Sequence, residues 1–137
     1  MKIKVKKIHP NAKIPKYEHD GDSGMDLFST EKILIHSMER VLVPTGLVFE
    51  IPKGYEIQVR PKSGLALKSG ISMPNTPGTI DSGYRGELKV IVINFSKNNF
   101  QINPGDKIAQ AVLSKVEFAE IQEVRELNGS SRGAGGF

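Results

Sequence analysis

The stretch PNTPGTIDSGYRGELKVIVIN, residues 74–94, is the part of this sequence that most clearly indicates a β-sheet protein. Its first half is crowded with proline, glycine, asparagine and aspartate, which favour turns, and residues 90–93 form a continuous β-branched run. Such a run is typical of a central strand buried on both faces, and the cluster before it predicts a tight hairpin. The chain is therefore expected to enter the middle of a sheet directly from a turn.

Turn signals of the same kind recur along the chain about every 8 to 12 residues. They include Asp20-Gly21-Asp22, Pro44-Thr45-Gly46, Pro52-Lys53-Gly54, Lys97-Asn98-Asn99 and Asn103-Pro104-Gly105-Asp106. Between two of them, Tyr55–Arg60 alternates polar and apolar side chains, as a half-exposed strand does. Even spacing of short strands predicts a β-sandwich or a barrel. No window of about 12 residues keeps an apolar helical period, so the only helix predicted is one or two turns at Ser63–Ser69.

The length of 137 residues suits a single domain, since domains typically hold roughly 100 to 200 residues. The last ten residues, NGSSRGAGGF, contain too few apolar side chains to fold alone. We therefore expect a β domain at residues 1–127 and a flexible Gly/Ser-rich arm at residues 128–137.

Several classes of chemistry are excluded by residues that the chain lacks. It has no cysteine, and His9, His19 and His36 do not have the spacing of a transition-metal site, which excludes disulfides, thiol chemistry and zinc. We expect these histidines to lie at the surface or to pack, because nucleophilic catalysis needs a base and an orienting group together. No apolar run is long enough for a secretory signal or a membrane span, so the protein is expected to be cytoplasmic.

The turn cluster of residues 74–87 is the first candidate site. Its glycines would let a planar ligand approach the backbone closely, and the amide of Asn75 offers such a ligand a donor and an acceptor. The carboxylate of Asp81 would lie at the rim of this site. The residues alone leave an alternative open, which is an ordinary turn with an Asx-type aspartate and a packing tyrosine.

The second candidate is RPKSGLA, residues 60–66, where a proline ends a strand and Ser63-Gly64 would open the short helix. A helix N-terminus presents free N–H groups and a partial positive charge, so it binds phosphate readily. The hydroxyl of Ser63 and the charge of Lys62 would add to this attraction. The alternative is that Ser63 only caps the helix. The GxxxxGK[ST] spacing of a P-loop is absent.

Two further candidates are polar side chains in apolar surroundings. Asp26, in SGMDLFS, is expected to be buried, and a buried carboxylate needs a partner. It could orient a basic group, accept hydrogen bonds from waters on a metal, or form an ordinary structural ion pair. Gln110, in GDKIAQAVL, lies in a strand that is expected to be apolar on both sides. Its amide must therefore be hydrogen-bonded, to the backbone or to a ligand.

Taken together and in this order, these segments resemble the motif set of the trimeric dUTP pyrophosphatase (dUTPase) family over nearly the whole chain. The matching segments are SGMDLFS (23–29), RPKSGLA (60–66), NTPGTIDSGYRGELKVIVIN (75–94), GDKIAQAVL (105–113) and RGAGGF (132–137), the start of the fifth motif. The third segment is the most specific. The resemblance implies an all-β fold, a jelly-roll or β-clip type barrel with one very short helix, which assembles as a homotrimer with sites at the subunit interfaces.

The same resemblance implies hydrolysis of dUTP to dUMP and pyrophosphate, with Mg²⁺ bound mainly through the substrate triphosphate. Asp81 would activate the water that attacks the α-phosphorus, and Tyr84 would lie under the deoxyribose, where a ribose 2′-hydroxyl would clash. The residues implied to contact uracil or deoxyribose are Asn75, Gly78, Thr79, Ile80, Tyr84, Lys89 and Phe137. Those implied to bind phosphate are Lys62, Ser63, Gly64, Gln110 and Arg132, and Asp26 would reach the metal through water.

The sequence departs from the family pattern in two places. Lys62 stands where the family usually has arginine, and since lysine lacks the planar bidentate grip of arginine, a weaker phosphate clamp is expected. The sequence ends at Phe137, before the Gly-Ser-Thr-Gly type stretch with which the fifth motif continues. A chain that truly ended there is expected to hydrolyse dUTP slowly.

Two other functions fit parts of the sequence. A dCTP deaminase resembles this family in fold and in the third motif, but its catalytic glutamate falls ten residues after the motif aspartate, where this chain has Ile91, which cannot shuttle a proton. A non-catalytic basic β-barrel that binds nucleic acid would suit the net charge of +4. Such a module predicts stacking aromatic residues along one strand face, whereas those of this chain are dispersed. No nucleic-acid or membrane partner is therefore expected.

Overall fold

Strands dominate the structure, a computed structural model that describes residues 1–137, and a single short helix interrupts them. The strands are β1 (Lys4–Lys7), β2 (Gly24–Phe28), β3 (Ile33–Ile35), β4 (Arg40–Pro44), β5 (Leu47–Glu50), β6 (Tyr55–Arg60), β7 (Ile71–Ser72), β8 (Gly78–Ile80), β9 (Lys89–Asn94), β10 (Phe100–Ile102) and β11 (Lys107–Lys115). The helix, α1, spans Ser63–Ser69. The predictions of a mostly β chain and of one short helix at this position are confirmed.

Pairing between strands that are distant in sequence builds the sheets, and every pair is antiparallel. The largest sheet has the order β2-β11-β6-β8 and the second has the order β4-β9-β7, while β1 pairs with β5 and β3 with β10. At nine residues β11 is the longest strand, and it pairs with both β2 and β6. It therefore lies between β2, from the early part of the chain, and β6, from the middle of the chain.

Alternating aliphatic side chains on these strands form one apolar core. In β6, Ile57 and Val59 are buried whereas Arg60 is exposed, which confirms the half-exposed strand predicted there. Full burial of an aliphatic side chain contributes about 1.5 to 3 kcal/mol. The core is therefore what fixes which face of each strand points inward.

The prediction for β9 is correct in part. The strand is central, since it lies between β4 and β7, but it is not buried on both faces in this chain. Val90 and Val92 are buried, whereas Ile91 and Ile93 are only half-buried. The second face stays partly open because Ile91 lines a cavity and no other layer of this chain covers it.

The tight hairpin predicted at residues 74–87 is wrong. The strand β8 pairs with β6, and β9 pairs with β4 and β7, so the chain between β8 and β9 crosses from one sheet to another. The local turn is present, since the Tyr84 N–H donates to the Asp81 carbonyl at 3.1 Å. The pairing of the strands on either side depends on distant parts of the chain, which turn residues do not report.

Asn94, at the end of β9, is a fully buried amide whose donors and acceptors are all used. Its Nδ2 donates to the carbonyls of Ile35 (3.0 Å) and Asn98 (2.8 Å). Its Oδ1 accepts from the Ser96 N–H (2.9 Å) and hydroxyl (2.7 Å). The side chain therefore ties β9 to β3 and to the turn that follows.

Asn94→Ala is expected to lower the free energy of unfolding by about 2 to 4 kcal/mol, because it leaves buried partners such as the Ile35 carbonyl unpaired. Urea unfolding followed by circular dichroism at one protein concentration measures the change. Asn128→Ala, at an exposed position, is the control. A loss no greater than that of the control would show that the network is dispensable.

Candidate active site

A cavity of about 580 Å³, here called the loop cavity, opens beside the turn cluster. It is lined by Leu42, Asn75, Thr79, Ile80, Asp81, Tyr84, Glu87, Lys89 and Ile91. Strand β8 supplies Thr79 and Ile80, and the first residue of β9 supplies Lys89. The structure therefore brings together Asp81, the candidate general base, and five of the seven residues for which the resemblance implies contact with uracil or deoxyribose.

Asn75 is placed by the loop between β7 and β8. The Thr76 hydroxyl donates to the Met73 carbonyl at 2.7 Å, which closes the loop. Gly78 is buried and lies behind the cavity wall, since a Cβ there would come within 3.3 Å of the Asn75 Nδ2. A side chain at position 78 would therefore displace the Asn75 amide.

Asp81 and Tyr84 occupy the two ends of the turn at the rim of the loop cavity. Both are exposed, and the carboxylate of Asp81 makes no hydrogen bond or ion pair. The Tyr84 hydroxyl donates to the Glu87 carbonyl at 3.0 Å, and a Cβ at Gly86 would overlap the Tyr84 ring. Only glycine at position 86 therefore lets the ring lie back along the chain.

Glu87 is a member of the loop cavity that the sequence did not single out. Its Oε2 is buried and is the only buried side-chain nitrogen or oxygen in the structure without a hydrogen-bond partner. Buried polar atoms are nearly always paired. The signal available in the sequence was a charged residue placed between Gly86 and the buried Leu88.

A second cavity of about 370 Å³, here called the polar cavity, has no apolar residue in its wall. It is lined by Glu18, His19, Asp22, Ser23, Gly24, Asp26, Lys62, Ser63, Gly64, Lys107 and Gln110. All residues assigned to phosphate or metal except Arg132 are therefore in one place. The other lining residues were given no role from the sequence; they are Glu18, His19, Asp22, Ser23, Gly24 and Lys107.

The start of α1 forms one side of the polar cavity. Lys62 occupies the N-cap position and no side chain caps the helix, so the alternative in which Ser63 acts as an N-cap is wrong. Ser63 is instead the first helical residue, and its hydroxyl accepts no hydrogen bond from the N–H groups of the first turn. Ser63 and Gly64 are exposed, and the space around Gly64 is open.

Strand register aligns the other side chains of the polar cavity. Gln110 on β11 lies opposite Asp26 on β2 and opposite Arg60 at the end of β6. The Gln110 Nε2 donates to the Pro61 carbonyl at 3.0 Å, and a Cβ at Gly24 would overlap its Oε1. Gln110 is half-buried at the wall of the polar cavity, and its apolar neighbours on both sides along β11 are buried, as predicted. Its amide is bonded to the backbone, which is one of the two kinds of partner predicted for it.

Asp26 is buried, as predicted, and is paired with two lysines. It accepts a hydrogen bond from Lys62, and the Lys107 Nζ lies 3.1 Å from its Oδ2. Burial by itself would raise the pKa of Asp26, but the hydrogen bonds and charges of Lys62 and Lys107 outweigh it and lower the pKa below the ordinary value of 3.8. The same pairing raises the pKa of Lys107. The cluster therefore carries a net positive charge at neutral pH.

Acidification is expected to destabilise the protein partly through Asp26. Because its pKa is lower in the folded protein, the unfolded chain takes up the proton first as the pH falls. The stabilisation is fully present above 3.8 and is lost as the pH falls through the lowered pKa of the folded state. Unfolding free energies measured between about pH 6 and pH 2 should fall more steeply for the unaltered protein and Asp20→Asn than for Asp26→Asn. Equal slopes would remove Asp26 from the acid response.

No group of three or more histidine, cysteine, aspartate or glutamate side chains could hold a metal ion. The polar cavity offers Asp26 and, at its wall, Glu18 and Asp22. Mg²⁺ usually keeps several waters and binds through one or two carboxylates together with substrate phosphates. This donor set fits a magnesium ion that arrives with a triphosphate.

The C-terminal segment lies apart from both cavities. Residues 117–137 are exposed and contain no strand or helix, and the last strand ends at Lys115. The Arg132 Nε donates to the Gly135 carbonyl at 2.7 Å. Arg132 and Phe137 line neither cavity.

The only helix is also too short to cross a membrane.

Comparison with known proteins gives one consistent family. The family model described as dUTPase matches residues 10–137. The deoxyuridine 5′-triphosphate nucleotidohydrolase of Wolinella succinogenes is 53% identical over 137 residues, which cover 100% of this chain and 92% of the relative. The one from Helicobacter hepaticus is 56% identical, with coverage of 100% and 87%.

Solved structures show the same fold. A Staphylococcus bacteriophage 80alpha dUTPase with dUpNHpp has a TM-score of 0.92 at 27% identity, covering 99% of this chain and 96% of that one. A dUTPase from phage phi11 of S. aureus, described for the coordination of a structural Mg(II) ion, has a TM-score of 0.88 at 26% identity, with coverage of 94% and 100%.

Proposed function

This chain belongs to the dUTPase family and hydrolyses dUTP to dUMP and pyrophosphate, and we propose that Asp81 is the general base of the reaction. The observation that carries this role is an exposed carboxylate without a partner at the rim of the loop cavity. Such a carboxylate is free to accept a proton from water, and general-base catalysis contributes roughly 10² to 10⁴ in rate.

The loop cavity would bind uracil and deoxyribose. The Asn75 amide and the backbone of residues 78–80 and of Lys89 would read the edge of the base. A site of this kind penalises a mismatched base by leaving buried polar groups unpaired, so cytosine would be rejected. The Tyr84 ring would lie under the sugar.

The polar cavity would hold the triphosphate. The Lys62 and Lys107 ammonium groups, the Ser63 hydroxyl and the Gln110 amide supply charge and donors, and the open space at Gly64 leaves room for an anion. Mg²⁺ would be bound mainly through the phosphates, with Asp26 reaching it through water, and would neutralise charge on the leaving pyrophosphate.

The bond changes in this scheme are simple. The water oxygen forms a bond to the α-phosphorus, and the bond from that phosphorus to the bridging oxygen breaks. Asp81 takes the proton of the water, and pyrophosphate leaves with the electron pair of the broken bond. The remaining residues position the reactants and stabilise charge.

A homotrimer of jelly-roll subunits would bring the two cavities together. On one chain they are separate, since the cavity with Asp81 shares no residue with the cavity that holds Asp26 and its lysines. A dUTP molecule needs both, so we place the complete site at a subunit interface. The exposed Leu42 and half-buried Ile91 beside the loop cavity support burial against another subunit.

The C-terminal arm would complete the site. We propose that residues 1–127 form the β domain, and that residues 128–137 reach a neighbouring subunit. There Arg132 would contact phosphate, and Phe137 would stack on uracil. A cytoplasmic enzyme of this kind would limit dUTP for DNA synthesis and supply dUMP.

A nucleotide panel tests the function. The protein is mixed with Mg²⁺ and dUTP, dTTP, dCTP or UTP, and the products are separated by chromatography. Only dUTP should give its monophosphate and pyrophosphate at a substantial rate. Equal turnover of dTTP would contradict a uracil-reading loop, and conversion of dCTP to dUTP would indicate a deaminase. The half-buried aliphatic Ile91 in the wall of the loop cavity argues against that second outcome, since it cannot move a proton.

A further inference from the structure

The turn that carries Asp81 and Tyr84 has little packing to hold it. Both residues are exposed, and Tyr84 is 46% exposed despite its size. Within the turn itself only the 3.1 Å hydrogen bond from the Tyr84 N–H to the Asp81 carbonyl closes the backbone. The direction of the Asp81 carboxylate therefore depends on contacts made from outside the turn.

Arg85, the next residue, makes such contacts. Its Nη1 donates to the Ser82 carbonyl at 2.7 Å and to the Tyr84 carbonyl at 3.0 Å. These two carbonyls lie on either side of Gly83. One guanidinium nitrogen therefore bridges the end of the turn near Asp81 and the end that carries Tyr84. A guanidinium holds its donors in one rigid plane, and this fixes the relative orientation of the carbonyls it contacts.

The guanidinium is directed by a charge on β5. The Arg85 Nη2 lies 3.9 Å from the Glu50 Oε1, and the Lys4 Nζ on β1 lies 2.8 Å from the Glu50 Oε2. The hydrogen bond and charge of Lys4, followed by the charge of Arg85, lower the pKa of Glu50, so it is ionised at neutral pH. The side chains of Arg85 and Glu50 are about half exposed and that of Lys4 is 81% exposed, and surface ion pairs of this kind contribute little to stability. The charge of Glu50 therefore orients Arg85 more than it stabilises the fold.

We propose that Arg85 is a positioning residue for dUTP hydrolysis, which holds the turn so that Asp81 and Tyr84 keep their places at the loop cavity. The inference rests on the proposed role of Asp81. A displacement of about 1 Å in a reacting group can cost up to about 10²-fold in rate. Loss of a backbone bridge at an exposed turn should produce part of that cost, and it should do so without unfolding the protein.

Arg85→Met tests this role, because it keeps the aliphatic stem and removes every donor. We expect kcat to fall about tenfold, while the Kd for dUpNHpp and the midpoint of thermal unfolding change little. Arg85→Lys, which can still donate to a carbonyl but not from a planar fork, should recover part of the lost kcat. The loss in kcat without a matching loss in binding is what a merely structural role would not give.

Three further variants separate the possible outcomes. Arg125→Met makes the same change at an exposed position. Lys4→Met removes an ion-pair partner of Glu50 but no contact of Arg85. Both variants should keep full kcat. If Arg85→Met also kept full kcat while Asp81→Asn was inactive, the positioning role would be wrong and the general base would stand. If Asp81→Asn stayed active, the general-base assignment would fail first. A parallel fall in kcat, affinity and thermal midpoint for Arg85→Met, without rescue by lysine, would reduce Arg85 to a structural residue.

Discussion

Asp81→Asn should hydrolyse dUTP about 10³-fold more slowly than the unaltered protein, because asparagine cannot accept a proton from the attacking water. The substitution keeps the size and shape of the side chain. The carboxylate of Asp81 makes no hydrogen bond or ion pair, so no partner is lost. The defect should therefore appear in kcat, which single-turnover hydrolysis with saturating Mg²⁺ measures directly.

Binding measurements distinguish loss of the base from loss of the site. Asp81→Asn should bind dUpNHpp with a Kd close to that of the unaltered protein, as titration calorimetry can show. Asp20→Asn makes the same chemical change at an exposed position outside both cavities and should keep full activity. An Asp81→Asn protein that kept most of its turnover would show that another group activates the water.

Tyr84→Ala should let UTP compete with dUTP, lowering the preference for the deoxynucleotide about 10²-fold. In the proposed site the ring fills the space that a ribose 2′-hydroxyl would need, and Gly86 allows the ring to lie there. Removing the ring removes that clash. The measurement is the ratio of kcat/KM for dUTP to that for UTP.

Two matched variants isolate the ring from the hydroxyl of Tyr84. Tyr84→Phe loses only the hydrogen bond to the Glu87 carbonyl and should keep the preference for dUTP. Tyr17→Ala, at a residue that is also half exposed but lines neither cavity, should leave the ratio unchanged. An unchanged ratio in Tyr84→Ala would remove this side chain from sugar selection.

Local chemistry explains what could be predicted about the two cavities. The turn at Asp81 follows from residue types that favour turns, and the helix at Ser63–Ser69 follows from a proline that ends β6. The roles of Asn75 and Asp81 were suggested by their residue types and by the family resemblance. Lys107 and Glu87 could not be singled out in this way, because a charged residue beside a strand is usually solvated.

The errors share one physical cause. The hairpin at residues 74–87 was inferred from neighbours in sequence, whereas the pairing of β8 and β9 is decided by strands from elsewhere in the chain. The face of β9 that contains Ile91 was predicted to be buried, and a single chain leaves it half open. The pattern of apolar side chains along a strand indicates how apolar each of its faces is. It does not indicate which other layer of the protein packs on each face.

The sequence by itself determined that the chain is mostly β, that it has one short helix, and that its motifs are those of a dUTPase. These properties are set by residue types over a few neighbouring positions. Only the tertiary structure decided that Asp26 meets Lys62, Lys107 and Gln110, and that this cluster lies in a different cavity from Asp81. Strand register decides which side chains meet in this cluster. A shift of one residue would turn the buried face of β11 to solvent and would destabilise the whole core.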